Sequence, residues 1–164
     1  MKDSREDFVR HHKDKYGGTL PVWAAAEVLD WGMLAHLYSM SPRTAQNKVA
    51  NVVNLTSPQL ESWLKALNIV RNIAAHHGRM YNRVYGQRPK LPRMGRCDGL
   101  LECEAVMNRV FGQLTLVQYL LKVLNVGSVR LLPKTLMDFP DSAIVSLRDT
   151  GAPEEWKQND LWKF

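Results

Sequence analysis

Cysteine is scarce in this chain, and the few cysteines match none of the sites that this residue commonly builds. The 164 residues contain two, Cys97 and Cys103. Their spacing fits neither a zinc-ligand pair nor a redox Cys-x-x-Cys motif. The adjacent pairs His11-His12 and His76-His77 share no spacing with a carboxylate or a cysteine either, so no metal site is predicted. The pattern favours a protein of a reducing compartment, which we expect to be the cytoplasm.

Long apolar runs and phosphate-binding loops are absent as well. No apolar run has the length of a membrane helix, and the N-terminal MKDSREDF lacks the apolar core of a signal peptide. No GxxxxGK[ST] motif and no glycine-rich turn after a strand occurs. We therefore expect no membrane association and no nucleotide or other cofactor.

Alternating strand patterns are missing, whereas apolar residues recur at helical spacing. The chain is 45% hydrophobic and long enough for one domain with its own core. We predict an all-α, up-and-down helical bundle that forms a single domain over residues 1–164 and ends in a short irregular tail.

Helix boundaries follow from capping residues, prolines and glycines. The predicted helices run from a Ser4 cap to Tyr16, from Pro21 to Met40, from Ser41-Pro42, from Ser57-Pro58 through Arg83, and from Asp98 to Leu124. The second is apolar almost all round, so it should be central and covered on several sides. Its Glu27 and Asp30 are interpreted as a wet edge, with pairing to Arg71 or Arg79 as the alternative. The tryptophans are interpreted as core and tail anchors.

Acidic residues are absent from a strongly basic stretch near the middle of a chain whose net charge is +6. The cations of this stretch are Arg79, Arg83, Arg88, Lys90, Arg93 and Arg96. Tyr81 and Tyr85 lie between them and could stack on unpaired bases. The stretch predicts a nucleic-acid-binding surface, and the alternative is a solvated basic loop without a ligand.

An arginine and two histidines come just before the basic stretch, in LNIVRNIAAHHGRMYNR. Arg71 can hold a phosphate through its planar donors, and His76 can give or take a proton near neutral pH. Asn72 and His76 are four residues apart and share a face of the predicted helix, so that Asn72 could fix the imidazole tautomer. His77 would lie at the edge of the core stripe, which is formed by Leu60, Trp63, Leu64, Leu67, Val70 and Ala74. We predict Arg71, Asn72 and His76 as catalytic, with His77 and the basic stretch binding RNA.

Several segments resemble the Abi-like (abortive infection) branch of the HEPN superfamily of helical ribonucleases. They are FVRHHKDKYG, LPVWAAAEVLDWGMLAHLYS, LESWLKALNIVRNIAAHHGRMYNR and, more weakly, TGAPEEW. The resemblance implies a HEPN-like fold, metal-independent cleavage of RNA by an Arg-x4-His motif, and a role in phage defence or as a toxin. It also implies that the chain is the C-terminal part of a longer protein, with a neutralising antitoxin or a phage trigger as candidate partners.

Self-association is a further expectation. Ala66, Ile69, Ile73 and Met80 form a second apolar strip on the motif helix, and a helix with two apolar faces needs two partners. HEPN proteins generally form dimers whose two Arg-His motifs face each other across a basic cleft. We therefore predict a homodimer through the motif helix. On an ideal helix Arg71 and His76 differ in direction by about 140°, so a partner helix or the long arginine must close the gap.

Three classes of function stay open from the sequence. The chain is an RNase effector, a nucleic-acid-binding module without catalysis, or a helical dimerisation domain in which the Arg-His pair is structural. An RNA-cleavage assay in EDTA separates the first from the others, and salt-dependent RNA binding separates the second from the third.

Overall fold

A computed structural model describes residues 6–93, 98–140 and 142–163 of the chain. Within these residues every regular element is helical and no strand occurs, which confirms the all-α prediction. The α-helices are α1 (Asp7–Tyr16), α2 (Val22–Val28), α3 (Trp31–Met40), α4 (Arg43–Val52), α5 (Ser57–Ala75), α6 (Asp98–Leu101), α7 (Val110–Leu124) and α8 (Leu131–Met137). Short 3₁₀ helices lie at Glu104–Val106, Leu147–Thr150 and Trp156–Gln158.

Contacts divide the chain into two compact units, one up to Met40 and one from Ser41 onward. The single domain over residues 1–164 stays a prediction. No helix in the described ranges is both long and apolar enough to span a membrane.

In the first unit, α1 ends where the sequence predicted. Gly17 and Gly18 have φ values of 63° and 81°, and the Gly18 N–H donates to the His12 carbonyl at 3.0 Å. Glycine adopts this left-handed backbone without a steric cost, so the pair terminates the helix. The predicted Ser4 cap lies outside the described residues, and Glu6 holds the N-cap position.

The predicted helix from Pro21 to Met40 is wrong, because the chain breaks it into α2 and α3. Leu29 is extended, and Asp30 accepts a hydrogen bond from the Met33 N–H at 2.7 Å. Asp30 is therefore an N-cap that starts a new helix. Glu27 and Asp30 are both exposed, which agrees with the predicted wet edge. The helices are not covered on several sides within the described residues either, since Trp23 is 73% exposed and Met40 is 72% exposed.

In the second unit, α4 and α7 both pack on α5. The predicted starts of α4 and α5 are confirmed within two residues, but the caps differ: Pro42 precedes α4 and Thr56 precedes α5. The Thr56 N–H donates to Gln59 Oε1 at 2.8 Å, one half of a capping box.

The core of this unit is built from aromatic and aliphatic side chains. Trp63 is fully buried and meets Tyr119 edge to face at 5.4 Å, while Phe111 stacks on Trp162 at 4.9 Å. Trp156 completes this aromatic cluster. The anchoring role predicted for tryptophan is confirmed for these three and wrong for Trp23.

The predicted helix from Asp98 to Leu124 is also wrong, since it is interrupted between Leu101 and Val110. The chain turns back there so tightly that a Cβ on Gly112 would lie 2.3 Å from the Val106 carbonyl oxygen. Only glycine fits such a close approach. The residues between Leu101 and Val110, predicted to be part of one long helix, form this reversal instead.

Candidate active site and nucleic-acid interface

The motif helix α5 ends at Ala75, earlier than the predicted end at Arg83. His76 is the C-cap, and His77 has a left-handed φ of 51°. The Gly78 N–H donates to the Ile73 carbonyl at 2.7 Å, and the His77 N–H donates to the Ala74 carbonyl at 3.1 Å. These two bonds form a Schellman motif, with a histidine at the position that usually holds glycine. Both histidines therefore lie on the turn that leaves the helix, and His77 is exposed instead of at a core edge.

The outer face of α5 and the turn that follows it carry the predicted catalytic side chains. Arg71, Asn72 and His76 are all exposed, whereas Leu60, Trp63, Leu67 and Val70 are buried as predicted for the core stripe. Ala74, predicted for that stripe, is exposed. The prediction that the Asn72 and His76 side chains lie away from the core is confirmed.

Asn72 is bonded differently from the prediction. The Arg71 guanidinium donates to Asn72 Oδ1 at 3.0 Å. Asn72 and His76 are joined through the backbone, where the His76 N–H donates to the Asn72 carbonyl at 3.1 Å. In this arrangement the side chain of Asn72 contacts the arginine, and the described residues show no hydrogen bond between it and the imidazole.

The second apolar strip of α5 is largely covered by the chain itself. Ala66 is 1% exposed, and Ile73 and Met80 pack against a cluster of Val70, Tyr85 and Val110. Ile69, 40% exposed, is the strip residue left open. The apolar surface of this strip that remains for self-association is therefore much smaller than the sequence predicts.

The segment after the histidines runs back along α5. Tyr85 is buried with Val70, and farther along the Trp63 Nε1–H donates to the Lys90 carbonyl at 2.9 Å. The Lys90 N–H donates to Ser62 Oγ at 2.8 Å, and the Gln59 amide donates to the Leu91 carbonyl at 2.9 Å. Successive residues of the segment thus contact successively earlier turns of α5, which fixes it antiparallel to the helix.

This docking leaves the cationic side chains of the segment facing solvent. The exposed cations, which we call the basic stripe, are Arg79, Arg83, Arg88, Lys90 and Arg93. Arg96 lies outside the described residues. From Ser41 to Arg96 the sequence has ten Lys or Arg and a single acid, Glu61. Glu61 accepts a hydrogen bond from Lys65 at 2.7 Å, which lowers its pKa. This part of the sequence therefore carries a strong excess of positive charge.

The two tyrosines of the segment are not free platforms for bases. Tyr85 is 4% exposed, and burial raises the pKa of its phenol. Its predicted stacking role is wrong, because its ring belongs to the core. Tyr81 stacks on Phe139 at 6.0 Å and donates to Asp149 Oδ2 at 2.5 Å, a bond that raises the pKa of Tyr81.

The remaining histidines and Cys103 complete the set of metal-ligand candidates that the structure describes. Across the described residues no three His, Cys, Asp or Glu side chains come together as a metal site. His12 contacts the Phe8 carbonyl through Nδ1 at 2.8 Å within α1. Cys103 is buried, which raises the pKa of its thiol, and Cys97 lies outside the described residues.

Arg109 and Asp149 are residues of this region that the sequence did not single out. One nitrogen of Arg109 donates to Asn82 Oδ1 at 2.9 Å and to the Asp149 carbonyl at 3.2 Å. Both residues are distant in sequence from the segment that they contact, so no local sequence pattern predicts these contacts.

The comparisons with known proteins place the chain in one family. A family model described as Abi-like protein matches residues 1–82, half of the chain, which includes α5 and both histidines. No curated protein and no solved structure matches the chain significantly. The match ends at residue 82, so the likeness at TGAPEEW stays a prediction. The chain therefore belongs to the Abi-like protein family.

Proposed function

We propose that this protein is a metal-independent endoribonuclease of the HEPN type that acts in abortive infection or as a toxin. The observation that carries the proposal is the joint exposure of Arg71, Asn72 and His76 at the end of α5, where the basic stripe begins. The family name supports the biological setting, since abortive infection is the phage-defence response for which the family is named.

The proposed chemistry needs only groups of these types. His76 takes the proton of the ribose 2′-hydroxyl, and the 2′-oxygen then attacks the adjacent phosphorus. The bond from phosphorus to the 5′-oxygen breaks, and a second, protonated histidine, that of the other copy in the dimer proposed below, donates a proton to that oxygen. Arg71, held by Asn72, stabilises the negative charge on the phosphoryl oxygens. The products are a 2′,3′-cyclic phosphate and a 5′-hydroxyl.

The test is incubation of a single-stranded RNA in EDTA with analysis of the product ends. We expect cyclic phosphate termini and no cleavage of a DNA of the same sequence, because DNA lacks the internal nucleophile. RNA that stays intact, or products with 5′-phosphates, would reject the proposal.

A second copy completes the proposed site. Arg71 and His76 lie five residues apart, or about 7.5 Å along the helix axis, and point in different directions. Two copies that meet through the outer face of α5, around Ile69 and Asn72, would bring each arginine toward the other copy's histidine. Size-exclusion chromatography with light scattering should then give a dimer, twice 18.8 kDa, at micromolar concentration. A monomer at that concentration would contradict the composite site.

The basic stripe makes RNA binding testable apart from catalysis. We expect the triple variant Arg88→Gln, Lys90→Gln, Arg93→Gln to bind single-stranded RNA about tenfold to a hundredfold more weakly. Because each lost phosphate contact lowers the salt slope of log K by about 0.7, the slope should fall by about 2. Fluorescence anisotropy at several salt concentrations measures both quantities.

The matched control removes three exposed cations elsewhere, Arg130→Gln, Lys134→Gln and Lys157→Gln. Equal losses in the two triple variants would mean that net charge alone binds RNA. RNA binding without cleavage by the unmodified chain would favour the second candidate function, a catalytically silent nucleic-acid-binding module, which the basic stripe supports by itself.

A further inference from the structure

The segment that follows the histidines is tied to distant parts of the chain by a compact set of polar contacts. The Tyr81 hydroxyl donates to the Asp149 carboxylate at 2.5 Å and accepts from the Ser146 N–H at 3.1 Å. Next to it, Arg109 joins Asn82 to the Asp149 carbonyl. Asp149 therefore contacts the segment in two ways. Its carboxylate binds Tyr81 directly, and its backbone carbonyl is linked to Asn82 through Arg109.

The groups that receive the segment are themselves held in place. Asp149 lies in the 3₁₀ helix Leu147–Thr150, whose preceding residue Ser146 accepts a hydrogen bond from the Arg148 N–H through its side chain. Gly151 ends this helix with a φ of 89°, and a Cβ there would lie 2.5 Å from the Arg109 Cβ. The absence of a side chain at Gly151 lets Arg109 pass close to the backbone and reach both of its partners.

The turn that bears His76 and His77 makes few contacts with its own helix α5. α5 ends at Ala75, His76 and His77 are exposed, and the turn is closed by backbone bonds to Ile73 and Ala74. Without a second anchor, a turn of exposed residues at a helix end would fray readily. Met80 packs against the core three residues after His77, and the Tyr81 and Asn82 contacts follow directly, so that together they supply that anchor.

We propose that Tyr81, Asn82, Arg109 and Asp149 form a clamp that fixes the turn bearing His76 and His77 and so positions the histidines. Its catalytic consequence rests on the proposed function, whereas its effect on the turn does not. Arg109 and Asp149 lie outside the half of the chain that the family model matches. In this protein the second half thus orders the end of the motif carried by the first.

Tyr81→Phe tests the clamp, because it removes the hydroxyl and keeps the ring that stacks on Phe139. We expect backbone amide hydrogen exchange in residues 76–83 to become at least tenfold faster in the absence of RNA. If the chain cleaves RNA, kcat should fall about tenfold while KM stays within twofold, since the stripe that binds the substrate is intact. Tyr85→Phe is the control for exchange: it changes a buried hydroxyl in the same segment for which the described residues offer no hydrogen-bond partner.

Asp149 supplies a pair of variants that separates positioning from mere packing. Asp149→Asn keeps an oxygen that accepts from Tyr81 and should retain most of the protection, whereas Asp149→Ala should behave like Tyr81→Phe. Unchanged exchange in Tyr81→Phe and Asp149→Ala overturns the clamp, whether or not RNA is cleaved. Faster exchange with an unchanged kcat overturns its role in positioning. An unmodified chain that does not cleave RNA overturns the proposed nuclease function alone, and exchange still decides the clamp.

Discussion

Replacing His76 with alanine is expected to slow RNA cleavage by about a hundredfold to ten-thousandfold, the range that general acid-base groups contribute. Arg71→Ala should cost about a hundredfold to a thousandfold, because the phosphoryl charge loses its main donor. Both side chains are exposed, so the free energy of unfolding should change by less than about 0.5 kcal/mol. Initial rates on a fluorescent single-stranded RNA, with circular dichroism melts for each variant, provide the measurement.

His36→Ala is the matched control for this experiment, since it removes an exposed helical histidine outside the motif. Arg71→Lys adds a graded test: it keeps the charge but loses the planar fork of donors, so an intermediate rate is expected. Equal rates for His76→Ala and His36→Ala would remove His76 from the mechanism. A contaminating nuclease would show the same residual rate in every variant.

The end of the motif helix shows where periodicity misleads. The prediction extended α5 to Arg83 because apolar residues continue at helical spacing up to Met80 and no proline intervenes. Gly78 was the available stop signal, but the left-handed residue is His77, one position earlier. Backbone conformation at a helix end depends on local hydrogen bonds that hydrophobic spacing does not register.

The break between α2 and α3 could be predicted from the sequence. Asp30 accepts from the N–H three residues ahead, which is the standard behaviour of an N-cap aspartate. The apolar run on both sides of Asp30 favours one continuous helix instead, in which Asp30 is only part of a polar edge. By contrast, the exposure of Trp23 follows from no pattern in the sequence, and nothing in the described residues accounts for it.

The sequence predicts which residues the proposed site contains, but not which residues they contact. Residue chemistry and spacing predict Arg71, His76 and the basic stripe as site residues, and their exposure is what the proposed roles require. The Tyr81 to Asp149 bond spans 68 residues, and the Arg109 to Asn82 bond spans 27. Contacts at such separations are set by tertiary packing and leave no local pattern, so the sequence predicts base stacking for Tyr81 and Tyr85 instead.

Packing also links the basic stripe to the stability of the second unit through Trp63. This side chain is fully buried against Tyr119, and its indole N–H holds the Lys90 carbonyl. Trp63→Ala should lower the free energy of unfolding by about 3–5 kcal/mol, a large part of the total for a domain of this size. Urea titration followed by circular dichroism would show the loss as a lower midpoint.

Two further substitutions separate the contributions of Trp63. Trp63→Phe keeps most of the volume but leaves the Lys90 carbonyl without its donor, which should cost about 1–3 kcal/mol. Trp23→Ala removes a tryptophan that is 73% exposed and should change stability by less than about 0.5 kcal/mol. If Trp63→Ala unfolds at the same urea concentration as Trp23→Ala, the docking of the basic stripe on α5 is not what holds this unit together. If the order is as expected, the contact of Trp63 with the Lys90 carbonyl anchors the backbone of the basic stripe to the core, while the cationic side chains of the stripe face solvent.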